Sequence, residues 1–146
     1  MQRNASATWK GNLKEGKGTI ETQSRVLSET PYSFTTRFEK APGTNPEELV
    51  AAAHAACFSM ALSATLSEQN LTPDAIHTSA SLTLEKNEAG WSITRIHLEV
   101  LGKVPKTDQA TFEAAANKAK ETCPISRLLN TNITMEARLE NSSRKE

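Results

Sequence analysis

The sequence predicts an α+β fold, and two observations carry that prediction. Runs of alternating and β-branched residues occupy both ends of the chain, while one long alanine-rich segment, residues 49–66, occupies the middle. The 146 residues correspond to one domain, which is large enough to bury a single core. We therefore expect N-terminal strands, a long buried central helix and a C-terminal ββαβ unit, all in one domain over residues 1–146.

The N-terminal part of the chain is typical of strands. Polar and apolar side chains alternate over residues 5–9, and Gly11 and Gly18 bracket a stretch of turn residues. Residues 19–22 can form the returning strand, so a hairpin is expected. Residues 32–39 are a further alternating run, rich in aromatic and β-branched side chains. We expect this run to form a third strand.

The central segment has the signals of a helix at both ends. Asn45 can cap the start, Pro46 suits the first helical position, and Glu48 stands three residues after Asn45 as in a capping box. Nothing breaks the helix over residues 49–66, and Asn70 fits a left-handed terminus. Because this helix is apolar on nearly every side, we expect it to be buried, partly against the same helix of a second subunit in a homodimer.

The C-terminal half predicts the ββαβ unit. Residues 77–85 and 91–101 alternate around turn residues at 87–90, so an antiparallel pair is expected. Asp108 can cap a second helix, and residues 133–139 close the unit as a strand whose odd positions face inward.

The second helix carries one apolar stripe that leads to a cysteine. Cys123 continues the stripe about three turns after its first member, at ~3.6 residues per turn. Pro124 stops this helix and can start a short one over residues 125–129, and the polar tail 141–146 is expected to fray. The stripe consists of Phe112, Ala115, Ala116 and Ala119.

Charge and composition exclude several classes of function. Seventeen basic and seventeen acidic residues cancel, so no electrostatic signature of a nucleic-acid or anionic-membrane partner is present. The sequence shows neither a signal peptide nor an apolar run expected to span a membrane, which predicts a cytoplasmic protein. In that reducing compartment, two cysteines are more often reactive, metal-bound or simply buried than a permanent disulfide.

Cys57 and Cys123 are the first candidates for chemistry. Both can be inert core thiols, because free cysteine is among the most buried residue types. A reactive thiol must become a thiolate, and Cys57, deep inside its helix, would need a cation from another element. Cys123 stands at the start of the short helix, where a helix N-terminus can acidify it, although an apolar environment opposes this.

His54 offers two further alternatives. It precedes Cys57 by three residues and shares its helix face, so a Cys–His acyl-transfer pair is one possibility and a core histidine is the favoured one. His54, Cys57, Cys123 and a carboxylate could also hold zinc, but no paired chelating motif supports this.

Two cysteine segments carry a specific resemblance. Residues 44–49 read TNPEEL, an alanine-rich stretch leads to AACFSMA at 55–61, and CPIS follows at 123–126. Over essentially the whole chain, the sequence resembles the OsmC and organic hydroperoxide resistance family of Cys-based peroxidases. The resemblance implies an OsmC-like fold, an intertwined homodimer, and a role in defence against oxidative and osmotic stress.

The same resemblance implies roles for the two thiols. Cys57 would be the peroxidatic thiolate that becomes a sulfenic acid, and Cys123 the resolving thiol that forms a disulfide with it. A dithiol, in the family typically a lipoylated protein, would then reduce that disulfide. No metal and no cofactor would be needed, and the substrates would be organic hydroperoxides and hydrogen peroxide.

The resemblance also implies an activating ion pair. Arg37 would lie beside the Cys57 sulfur and Glu47 would orient it, whereas the hairpin turn that supplies an arginine in the hydroperoxide-resistance branch has Lys14 and Lys17 here. Glu47 precedes Cys57 by ten residues, roughly 15 Å along a helix at ~1.5 Å per residue. We therefore expect Glu47 of one subunit to serve Cys57 of the other.

The substrate pocket is expected to be apolar, with Phe38, Met60 and Ile125 against an alkyl or lipid tail. Two other classes of function stay open at this point. One is a Cys–His acyl transferase or thioesterase that uses His54, and the other is a non-enzymatic module whose thiols only sense oxidants or bind small molecules.

Overall fold

The predicted N-terminal hairpin is present. In the computed structural model, which describes residues 1–140, strand β1 (Ala5–Lys10) pairs antiparallel with β2 (Lys17–Thr22). Strand β3 (Thr30–Tyr32) adds to the other edge of β2. Gly11 takes a φ of +100° in the connecting turn, a conformation that glycine adopts without strain. The predicted fraying of the tail 141–146 lies outside the described residues.

The third predicted strand is wrong over most of its length. Strand β3 ends at Tyr32, and helix α1 (Phe34–Phe38) follows. Ser33 caps this helix, because its hydroxyl accepts from the Thr36 N–H while its own N–H donates to the Thr36 hydroxyl. Phe34 and Phe38 then stand four residues apart, with ring centroids separated by 5.0 Å. The cap therefore overrides the strand propensity of the aromatic and threonine residues.

The central helix α2 (Pro46–Ser67) begins and ends as predicted. The Asn45 side chain accepts from the Glu48 N–H at 2.8 Å, and Asn70 takes a left-handed φ of 61°. Within a single chain the helix is buried along one face only, and Met60 on another face is 76% exposed, so burial of the remaining faces against a second subunit stays a prediction. The buried residues follow one face: His54, Phe58, Leu62, Thr65 and Leu66.

Helix α2 also corrects the expectation that no segment could span a membrane. Within residues 1–140, this one helix is long and apolar enough to do so by length and composition, with a mean hydropathy of 1.7. A single such helix is weak evidence for a span, because the core helices of soluble proteins have the same composition. Alanine-rich sequence raises the hydropathy without adding bulk.

The C-terminal ββαβ unit is confirmed. Strand β4 (Ala75–Asn87) pairs antiparallel with β5 (Gly90–Lys103), and β6 (Asn132–Leu139) pairs parallel with the other edge of β5. A parallel pair requires a crossover connection, which helices α3 (Gln109–Thr122) and α4 (Pro124–Leu128) supply. The chain contains two compact units, within each of which the residues contact one another closely. The first covers Met1–Leu49 and the second begins at Val50. That residues 1–146 form one domain stays a prediction.

One hydrophobic core joins the elements of the second unit. It combines Phe58 of α2, alternate residues of β5 and the predicted stripe of α3, and it includes Cys123, which is 0% exposed. The odd positions of β6 face this core, as predicted, with Ala137 buried. The buried members from β5 and α3 are Ile96, Leu98, Val100, Phe112, Ala115, Ala116 and Ala119.

Gly102 in β5 lies against the Phe112 ring and has no room for a side chain. A Cβ at Gly102 would come within 2.4 Å of two ring atoms, and Phe112 is fully buried. We expect Gly102→Ala to lower the free energy of unfolding by about 1–3 kcal/mol, the usual effect of overpacking a core. Urea denaturation measures this loss. In a Phe112→Leu background the same substitution should be less damaging, and an equal loss in both backgrounds would contradict the contact.

Candidate functional site

The structure brings the two cysteines together. Cys57 lies about three turns after the start of α2, and Cys123 caps the end of α3 and the start of α4. Their sulfur atoms are 3.3 Å apart, within hydrogen-bonding distance of each other. Both thiols are free, Cys57 is partly exposed and Cys123 is buried. A disulfide has an S–S distance of about 2 Å, so a small movement is enough to join them.

The environment of Cys57 opposes ionisation on balance. Burial raises the pKa of the Cys57 thiol, the backbone N–H of Ile125 lowers it, and the neighbouring Cys123 thiol raises it again. The start of α4 therefore favours the thiolate of Cys57, whereas the sequence argument expected it to act on Cys123. Because the net direction is upward, Cys57 needs a cation to be a thiolate near neutral pH.

His54 occupies the core side of α2, one turn before Cys57. Its ring is 0% exposed, its Nε2 lies 2.8 Å from the Ser126 hydroxyl oxygen, and its Nδ1 has no partner within the described residues 1–140. Burial lowers the pKa of His54, because the charged imidazolium is poorly solvated there. With Nε2 bonded to Ser126 and Nδ1 unpaired, neither ring nitrogen activates Cys57, which is unfavourable to the acyl-transferase alternative.

The buried His54 predicts a dependence of stability on pH. The folded chain favours the neutral ring, while the unfolded chain takes up a proton near the ordinary value of 6.5. Between that value and the lower pKa of the folded state, the unfolded chain binds more protons, so the free energy of unfolding falls as the pH falls. Above pH 6.5 this contribution is complete. Urea denaturation from about pH 5 to 8 measures it. A His54→Gln variant should show a flatter profile, and parallel profiles would contradict the assignment.

Arg37 and Glu47 form the predicted ion pair, within one chain. Arg37 donates from Nε to one Glu47 carboxylate oxygen at 3.0 Å and from Nη2 to the other at 2.8 Å. The Glu47 side chain is 13% exposed, and the Arg37 guanidinium carbon lies 5.0 Å from the centre of the Phe38 ring. The hydrogen bond to Glu47 raises the pKa of Arg37, so the guanidinium is firmly charged. Arg37 belongs to a helix instead of the expected strand.

Of the three predicted pocket residues, Phe38 lines an apolar cavity. The cavity has a volume of about 200 Å³ and is adjacent to Arg37. Met60 is exposed on α2, and Ile125 is half-buried against the core of the second unit. Sequence reasoning missed the other lining residues, although Gly18 pairs with both Trp9 and Tyr32 across the sheet and leaves room for their rings. The remaining walls of the cavity are Trp9, Leu13, Tyr32, Ser33 and Phe34.

Within the described part of the chain, no carboxylate joins the two cysteines in the group that the zinc alternative requires. Among residues 1–140, the one group of three close metal-ligating side chains is His97, Glu99 and Glu136, which lies on β5 and β6 and contains neither cysteine. Both glutamates are exposed, and His97 Nδ1 pairs with the Thr134 hydroxyl at 2.6 Å. The two thiols therefore form a dithiol site of their own, separate from the group of His97, Glu99 and Glu136.

Comparison with known proteins agrees with the geometry. Residues 38–138 match the family model described as OsmC-like protein. Peroxiredoxin OsmC from Escherichia coli (strain K12) is 49% identical over 139 residues, 95% of this chain and 97% of that protein. The organic hydroperoxide resistance protein OhrB from Bacillus subtilis (strain 168) is 33% identical over 98 residues, 66% of this chain and 70% of that protein.

Solved structures share the fold. The crystal structure of OhrB of Bacillus subtilis aligns with a TM-score of 0.67 at 27% identity, over 94% of this chain and 98% of that chain. An OsmC-like protein from Vibrio cholerae O1 biovar eltor aligns with a TM-score of 0.75 at 21% identity, over 94% of this chain and 99% of that chain. Fold and sequence agree, and the chain belongs to the OsmC-like protein family.

Proposed function

We propose that this chain is a thiol-dependent peroxidase that reduces organic hydroperoxides, and hydrogen peroxide, in defence against oxidative and osmotic stress. One observation carries the proposal: a partly exposed Cys57 has the buried Cys123 sulfur 3.3 Å behind it. An outer thiol can meet a peroxide, and an inner thiol can trap the product. Similarity to Peroxiredoxin OsmC and to organic hydroperoxide resistance proteins supports the same chemistry.

The reaction uses two thiols and no cofactor. The Cys57 thiolate attacks the terminal oxygen of ROOH, the O–O bond breaks, and the leaving alkoxide takes a proton to become ROH. Cys57 is then a sulfenic acid. The Cys123 sulfur attacks the Cys57 sulfur, and the hydroxyl group leaves with the Cys123 proton as water. A dithiol reduces the resulting disulfide by exchange and becomes a disulfide itself. We propose a lipoylated protein in the cytoplasm as this reductant.

Arg37 is proposed to supply the cation that Cys57 needs. Its bidentate bond to Glu47 fixes the guanidinium plane and leaves one face and one edge for another partner. A guanidinium beside the sulfur stabilises the thiolate against the burial that raises its pKa. Since Glu47 and Cys57 are ten positions apart on the same helix, we propose that the Arg37–Glu47 pair of one subunit serves Cys57 of the other.

A homodimer is proposed to bring these groups together. Helix α2 presents small and apolar residues outside its buried face, and such a stripe permits close packing of two helices. Phe38, Met60 and Ile125 are proposed to receive the apolar tail of the peroxide at this interface. The exposed stripe on α2 comprises Ala53, Ala56, Met60 and Ala64.

Oxidation by cumene hydroperoxide tests the proposal. Reduced wild-type protein should lose both thiols rapidly, and its intact mass should fall by two hydrogens. Excess dithiol should then sustain turnover. Slow, stoichiometric oxidation without recycling would instead identify a sensing or binding module and overturn the peroxidase.

The Cys123→Ser variant separates the two cysteines. We expect one oxidation of Cys57 to proceed, to a sulfenic acid that dimedone traps, and no disulfide to form. Turnover with a lipoyl dithiol should fall by at least about tenfold, since the intramolecular resolving thiol has a high effective concentration. Unchanged peroxide turnover would mean that the external dithiol reduces the Cys57 sulfenic acid directly, and it would overturn the resolving role of Cys123.

A further inference from the structure

The short helix α4 touches the Cys57 face of α2 at two levels, one turn apart. At the first level, the Cys123 sulfur contacts the Cys57 sulfur, and a hydrogen bond from the Ile125 N–H lowers the pKa of the Cys57 thiol. At the second level, the Ser126 hydroxyl bonds to His54. His54 precedes Cys57 by three residues, and Ser126 follows Cys123 by three, so the two contacts run side by side between the helices.

Helix α4 cannot fix its own position. It has five residues, begins at Pro124 and has no side-chain cap. A helix of that length is not stable alone, so its placement depends on contacts with its neighbours. Among these contacts, the His54–Ser126 bond is directional and lies in the core, where His54 is 0% and Ser126 8% exposed.

The His54 ring forms this bond at one nitrogen while the other is unpaired. Among residues 1–140, the buried His54 Nδ1 has no partner, and an unpaired buried polar atom is unfavourable. An apolar side chain of similar size would avoid that penalty but could not bond to Ser126. A buried hydrogen bond between two elements is formed in only one packing register. An apolar contact of the same area tolerates small shifts and therefore fixes the register less strictly.

We propose that His54 is a positioning residue, whose hydrogen bond to Ser126 holds α4 in the register that keeps the Cys123 sulfur and the Ile125 N–H at Cys57. The inference rests on the proposed function, because it assigns His54 to the step in which the Cys57 sulfenic acid and the Cys123 thiol form a disulfide and water. His54 touches neither substrate nor sulfur in this role and is not a catalytic residue.

Alkylation of Cys57 provides the first test. In a Cys123→Ser background, the rate of iodoacetamide alkylation against pH reports the pKa of Cys57 alone. We expect Ser126→Ala to move that profile upward by about 0.5–1 pH unit, the equivalent of one hydrogen bond. Ser126→Thr, which keeps the hydroxyl, should follow the parent profile. Ser59→Ala is the matched control, because Ser59 of α2 makes an equally short 2.8 Å bond to Thr78 of β4, not to α4.

Disulfide formation by diamide provides the second test, in protein with both cysteines. Diamide takes up the two thiol hydrogens and leaves the Cys57–Cys123 disulfide, so this reaction needs no peroxide. We expect Ser126→Ala to slow it about three- to tenfold. Ser59→Ala and Ser126→Thr should match wild type. Both tests therefore remain valid if the chain proves not to be a peroxidase.

The outcomes distinguish a specific role of the His54–Ser126 bond in positioning α4 from a general loss of stability. If Ser126→Ala and Ser59→Ala change both readouts equally, or if neither changes them, the proposal is overturned. Circular dichroism confirms that each variant is folded. Should Ser126→Ala not fold, His54→Gln and His54→Leu replace it, since the glutamine amide can still reach Ser126 and leucine cannot. Glutamine should then preserve more of the wild-type rate than leucine, and equal losses would overturn the proposal.

Discussion

Replacing Cys57 by serine should reduce peroxide consumption by at least about a thousandfold, because a serine hydroxyl is a far weaker nucleophile than a thiolate near neutral pH. The measurement is the loss of cumene hydroperoxide in the presence of a lipoyl dithiol. Cys57 is partly exposed while Cys123 is buried, so Cys57 is the thiol that a peroxide can meet first. The remaining Cys123 should stay reduced in the variant.

Cys123→Ser is the matched control for this prediction. The two variants remove one sulfur each from the same 3.3 Å contact, so both lose the interaction between the two thiols. Only Cys57→Ser should abolish the first oxidation. If Cys57→Ser still reacts at the wild-type rate, Cys123 is the nucleophile and the start of α4 acidifies it, as position along the chain first suggested.

Arg37→Met should lower the rate of the first oxidation by about a hundredfold, the effect of removing one strong electrostatic contact from a reacting group. Methionine fills similar space without charge, so the burial that raises the pKa of Cys57 would have no opposing cation. The reaction rate of Cys57 against pH should therefore shift upward in this variant. Rapid quench with intact-mass detection measures the first oxidation directly.

Two further variants make the Arg37 prediction specific. Arg37→Lys keeps the charge but loses the bidentate bond to Glu47, and its rate should lie between those of wild type and Arg37→Met. Glu47→Gln keeps the arginine and loses its orienting charge, so it should also be intermediate. If Arg37→Met reacts with the wild-type rate and pH profile, Arg37 has only a structural role in its own unit.

Helix ends were predictable where a cap stands beside a clear apolar pattern. Asn45 and Asp108 both accept a backbone N–H three residues ahead, and the helices begin where these caps indicate. The prediction for residues 32–39 failed because the helix cap there was not identified from the sequence. The surrounding aromatic and β-branched side chains favour a strand by propensity, but Ser33 and Thr36 form a capping box, and this local cap prevails over the propensity.

The site was predictable only in its chemistry-bearing residues. Cys57 and Cys123 stand 66 positions apart, and no local pattern states that their sulfurs meet. The resemblance to a family supplied that pairing and the Arg37–Glu47 pair. Ser126 carries no pattern of its own, so its bond to His54 could be found only in three dimensions. The cavity beside Arg37 depends on ring packing around Gly18, which periodicity does not describe.

A disulfide between the two cysteines would link the redox state of the protein to its lifetime. A disulfide between Cys57 and Cys123, which stand 66 positions apart, would close a loop that includes both long strands of the second sheet and all of α3. Closing a loop of this size restricts the unfolded chain and favours the folded one by roughly 4 kcal/mol in the chain-entropy treatment. Proteases act on opened molecules, so the reduced enzyme is the form more exposed to degradation. Oxidant and reductant would thereby regulate not only turnover but also how long each molecule survives.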